Sequence, residues 1–82
     1  MGRTWQPVWE PITDPYVYGY RATLANHHGT FRVDVVRCYA GEWTVFPYRD
    51  GVQVRNLTEL NATRGYSEMR KRAAQWLRHW SI

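Results

Sequence analysis

The segment from Gly65 to Trp80 constrains this chain more than any other stretch. Met69, Ala73, Trp76, Leu77 and Trp80 recur at the i, i+4, i+7, i+8 and i+11 spacing of an amphipathic helix, and Tyr66 extends that stripe back by a turn. With about 100° between successive residues, the opposite side collects Lys71, Gln75 and Arg78, flanked by Arg70 and Arg72. Ser67 is the expected N-cap, Glu68 complements the helix dipole, and Gly65 interrupts any helix arriving from upstream. The spacing predicts a helix from about Ser67 to His79. One face of it presents Trp76 and Trp80 and needs a surface to cover.

That surface is legible upstream. Tyr18, Tyr20, Ala22 and Leu24 alternate with Val17, Gly19, Arg21 and Thr23, the period of a half-buried strand. Asn26-His27-His28-Gly29 forms a turn, with Asn and Gly tolerating positive φ. Phe31, Val33 and Val35 then face inward against Arg32, Asp34 and Val36, in a second strand reaching about Tyr39. After Ala40-Gly41, Glu42 to Pro47 makes a third strand with Trp43 and Val45 inward. Asp50-Gly51 is a hairpin dipeptide, and Val52-Gln53-Val54 is a candidate fourth strand. Asn56 to Arg64 reads as a loop or a single helical turn around Leu57 and Leu60. Connections this short exclude parallel crossovers, so the strands form an antiparallel meander.

Residues 1–15 precede the domain as an extended arm carrying Trp5, Pro7, Trp9, Pro11 and Pro15. Prolines at this density exclude a helix and weaken any central strand. The two tryptophans either cap the core or serve as exposed anchors for a partner. Residues 16–82 are then a single α+β domain: a three- or four-stranded antiparallel sheet with one C-terminal helix on one face. A domain of 82 residues buries only about 60% of its unfolded surface, and five Trp and six Tyr offset that limit with large side chains. The expected core is Tyr20, Leu24, Phe31, Val33, Val35, Trp43, Val45, Met69, Ala73, Trp76, Leu77 and Trp80.

Composition narrows the function by exclusion. The net charge is +4, carried by arginine apart from Lys71, and the scatter of those arginines fits GC-rich coding better than a dedicated phosphate cluster. Cys38 is the single cysteine, expected as a half-buried inert thiol on a strand, so no disulfide or cysteine metal cluster forms. Gly2 with Thr4 does not meet the myristoylation pattern, no signal peptide is apparent, and no run approaches the ~18 apolar residues of a membrane span. A cytoplasmic protein without membrane attachment is expected. His27-His28 is the one histidine pair, and metal sites need three or four converging ligands. His79 suits the helix C-terminus. The acidic residues are dispersed, Cys38 and Ser67 lack a general base, and no phosphate loop occurs. The chain reads as non-enzymatic, with no cofactor and no metal.

Two resemblances add to this reading. An antiparallel three-stranded sheet followed by a helix resembles the later part of a double-stranded-RNA-binding domain, which reads duplex shape. Arg70-Lys71-Arg72 echoes the cationic start of that family's second helix, although this chain has an arm where the family begins with a helix. The run from Gly29 to Arg37, then Gly41-Glu-Trp-Thr-Val-Phe, then Tyr66 to Leu77 resembles small proteins of actinobacteria and their phages. That second resemblance implies an accessory role in host takeover, defence evasion or toxicity, in the host cytoplasm if phage-encoded.

The leading expectation is therefore a binding module for a host protein, acting as a monomer or homodimer. Its contacts are expected at Trp5 and Trp9, on the uncovered sheet face (Arg21, Thr23, Arg32, Asp34), and on the polar helix face. The alternative is nucleic-acid binding through Arg70, Lys71, Arg72 and Arg78, with Gln75. The helix facing has its own check. Trp76→Ala is expected to cost roughly 3–5 kcal/mol, and a thermal melt within a few degrees of the parent would show the helix turned the wrong way.

Overall fold

A computed structural model of the protein describes residues 5–37, 41–54 and 65–81. Strands β1 (Glu10–Pro11), β2 (Gly19–Asn26), β3 (Gly29–Arg37), β4 (Trp43–Arg49) and β5 (Val52–Gln53) precede helix α1 (Tyr66–Trp80). They form one antiparallel sheet in the order β1-β2-β3-β4-β5, with α1 laid across β3 and β4. The α+β meander with a C-terminal helix is as expected, and its sheet has five strands. The unanticipated one is β1, inside the proline-rich arm. Pro11 is tolerated because β1 is an edge strand, where a missing N–H breaks no ladder.

Turn chemistry sets the register. The β2–β3 hairpin closes with Asn26 opposite Gly29, whose φ is +136°, and Asn26 Oδ1 accepts the His28 N–H at 2.9 Å. Asp50 (φ 52°) and Gly51 (φ 83°) both take positive φ, the demand of a tight two-residue hairpin turn. Asp50 also accepts the Thr30 N–H at 2.8 Å, tying this turn to the neighbouring hairpin. Gly19 has a different reason to be glycine: a Cβ there would collide with the Val35 carbonyl oxygen.

The pairing Tyr20–Val35–Val45 and Ala22–Val33–Pro47 stacks these residues on one face of the sheet. Ala22, Phe31, Val33, Val35 and Val45 are buried there against Met69, Ala73 and Leu77 of the helix. Leu24, Trp43, Trp76 and Trp80 were expected at the centre with Tyr20, and instead ring it half-buried, joined by Tyr66. Their width is the reason, since a single helix cannot enclose six large side chains at its margins. At one end Phe31 stacks on Trp80 (4.7 Å, 15°), meets the edge of Trp76, and Arg49 lies 4.6 Å over Trp80. At the other, Tyr66 sits 4.8 Å from Trp43 and 5.4 Å from Tyr20. Tyr20 is held above the ordinary phenol range, chiefly because a charged Tyr18 beside it disfavours a second phenolate.

The helix begins one residue earlier than expected. Gly65 is the N-cap, without a side-chain cap bond, and Ser67 lies inside the first turn. Cys38, the 56–64 loop and the myristoylation question at Gly2 fall outside the described residues. No described helix is long and apolar enough to cross a membrane. Buried Leu77 and the misplaced cap give a paired expectation. Leu77→Ala should cost about 2–5 kcal/mol in denaturant unfolding. Trp76→Ala belongs at the lower end of its range, since that indole is only half-buried. Ser67→Ala should stay within about 0.5 kcal/mol, whereas a loss near 1 kcal/mol would restore Ser67 as the cap.

Candidate anion-binding groove

The residues expected to bind a macromolecule divide among three places. Arg21 and Arg32 stand on the outer face of the sheet, away from the helix. There Asp34 is only 7% exposed and is clamped between them. Arg21 Nε donates to Oδ1 at 2.8 Å and its terminal nitrogen to Oδ2 at 3.1 Å, a bidentate fork. Arg32 Nε lies 3.5 Å from Oδ1, within ion-pair reach but outside hydrogen-bond geometry, and its guanidinium sits 4.0 Å over the Tyr48 ring. Asp34 was expected as an open contact residue, and it is enclosed because β2 sets Arg21 directly opposite it while Arg32 lies two residues back on its own strand. The fork raises the Arg21 pKa above the ordinary guanidinium range. With the partner carboxylate ionised, this raised guanidinium contributes stability that is present below that range and is lost as pH rises above it.

Arg72 and Gln75 occupy a second place on the helix. Arg72 is half-buried and bonds Glu68 at 3.4 Å, an i,i+4 pair, while Gln75 is exposed.

The third place is a groove of about 330 Å³ where the arm meets the helix. Gln6, Pro7 and Trp9 form its arm side, and Arg70, Lys71, Ala74 and Arg78 its helix side. Neither Trp5 nor Trp9 is a free anchor. Both are half-buried and pack against the core cluster, the first of the two roles the sequence allows. The arm is tied down twice: β1 pairs with β2, and Arg78 donates to the Trp5 carbonyl (3.4 Å) and to Gln6 Oε1 (3.3 Å). Arg70 is exposed with its guanidinium 5.5 Å from the Tyr66 ring, and Lys71 is exposed beside it. No acidic side chain among the described residues lines the groove. Among the described residues, no carboxylate lies within ion-pair reach of Arg70, Lys71 or Arg78. By contrast, Arg21, Arg32 and Arg72 each have a carboxylate within ion-pair reach.

Sequence periodicity located the cations but not Gln6, Pro7 or Ala74. The signal for Ala74 was its small size next to Ala73, which lets a second segment approach the helix closely. No protein-family model, curated protein or solved structure matches this chain. The outer-face cluster carries the local prediction. Arg21→Ala should cost about 1–3 kcal/mol, the range for losing charged hydrogen bonds to a buried carboxylate. Urea unfolding checks this, and a loss under about 0.5 kcal/mol would mean that water replaces the fork.

Proposed function

We propose that this chain is a small, non-enzymatic binding module whose working surface is the arm–helix groove and whose partner is a nucleic acid. The observation supporting this reading is the convergence of Arg70, Lys71 and Arg78 on one groove that holds no acidic side chain among the described residues. Like charges kept together without counter-charges favour a polyanion, because each phosphate they neutralise releases condensed counterions. The tryptophans of the arm pack inward, which weakens the expectation that they anchor a partner protein directly. Either kind of partner fits the accessory role implied by the resemblance to small actinobacterial and phage proteins.

A protein partner is the second reading, and the outer sheet face favours it. Val36, Phe46 and Tyr48 are half-buried there, and no described element packs over them. Arg21 and Arg32 are held rigid by Asp34, and preformed arginine and tyrosine contacts lose little entropy on binding. Tyr16, 95% exposed between β1 and β2, adds an aromatic at the same edge strand.

Titration with labelled nucleic acids at two salt concentrations tests the first reading. Three neutralised phosphates predict a slope of log K against log salt of roughly −2 for single strands to −3 for duplexes. The Arg70→Glu, Lys71→Glu double variant should lose that binding with its melting temperature unchanged. Both residues are exposed in the N-terminal half of α1, where a negative charge is compatible with the dipole. Undiminished binding by the double variant, or none by the parent at low salt, would move the function to the outer face.

A further inference from the structure

We infer that the groove takes single-stranded rather than duplex nucleic acid, with one base stacked on Trp9 while phosphates lie on Arg70 and Lys71 at one end and Arg78 at the other. This inference rests on the nucleic-acid reading above and specifies its substrate. A duplex keeps its bases stacked inside and offers a positively charged helix only its phosphate ridge. Contacts of that kind need neither a recess nor an aromatic wall. This groove has both. Trp9 lines it while packing against the core, so the indole is held in place as a platform. Pro7 and buried Ala74 make the neighbouring surface apolar.

The dimensions agree. A volume of about 330 Å³ sits at the small end of ligand cavities, suited to a nucleoside-sized group. Lys71 and Arg78 lie about 10 Å apart along the helix axis at 1.5 Å per residue, so phosphates on both sides of one inserted base fall within reach. Arg78 bonds the arm through Nε and one terminal nitrogen, and its remaining N–H groups stay available to a phosphate. An indole flanked by cations in a trough is the arrangement by which proteins hold single strands without sequence preference.

The test uses the native chain and three labelled probes of equal length: oligothymidylate, a strand with the same backbone but no bases, and a duplex. By fluorescence anisotropy, oligothymidylate should bind roughly tenfold or more tightly than either of the others. Trp9→Ala, where circular dichroism shows it folded, should bring oligothymidylate down to the affinity of the baseless strand and leave the salt slope in place. If the baseless strand or the duplex binds the native chain as tightly as oligothymidylate, base stacking is overturned and the cationic reading stands. If none of the three binds at low salt, the nucleic-acid reading falls with it. The native-chain comparison decides the matter even if Trp9→Ala does not fold.

Discussion

Everything in this fold follows from one mismatch of widths. A helix with its side chains is about 10–12 Å across, and strands lie about 4.8 Å apart. One helix therefore covers little more than two strands of a five-stranded sheet. Met69, Ala73 and Leu77 seal β3 and β4, whose inward Val33, Val35, Val45 and Phe31 are wholly buried. The inner side of β2 needs another cover, and the chain supplies it with its own beginning. The arm runs from β1, paired at the edge of β2, back to Arg78 on the helix, and sets Trp5 and Trp9 against the core. Two covers side by side leave a seam. The groove is that seam.

The outer face solves a related problem differently. With no described element over it, it is organised by polar contacts within the sheet. Asp34 is shielded by its cross-strand neighbour Arg21 and by Arg32, which in turn lies on Tyr48. A buried carboxylate contributes little net stability on its own, since desolvation offsets most of the Coulombic gain. What this one does is immobilise two arginines that would otherwise move freely. The same chain thus presents a face whose two arginines share a carboxylate and a groove whose three cations have none within ion-pair reach among the described residues. The difference in pairing, not the amount of charge, makes the groove the better candidate for a polyanion.

Helix and arm share a residue in both roles. Arg78 ties the arm to the body and is one of the three groove cations. Any ligand that engages it also engages the contact that holds the arm down, so binding and arm packing are physically coupled at this position. Arg70 and Lys71 carry no such structural duty, and they are the positions where charge can be separated from fold.

The sequence by itself determined which way each residue of a regular element faces. Alternation along β2, β3 and β4 and the stripe along α1 are local geometry, with periods near 2 and 3.6, and the inner faces lie where those periods put them. The hairpin turns were legible for the same reason, because Asn26, Gly29, Asp50 and Gly51 meet conformational demands within a few residues. Only the tertiary structure decided what lies beside what. Pro11 marked the arm as a poor strand, yet an edge needs no donor from it. Ser67 looked like a cap, yet the helix starts before it. Asp34 read as solvent-facing, and a neighbouring strand brought Arg21 to it. Above all, the arm's position against Ala74 and Arg78 joins residues some seventy positions apart in the chain. No periodicity reports such a pairing, because it depends on how much of the sheet the helix leaves bare.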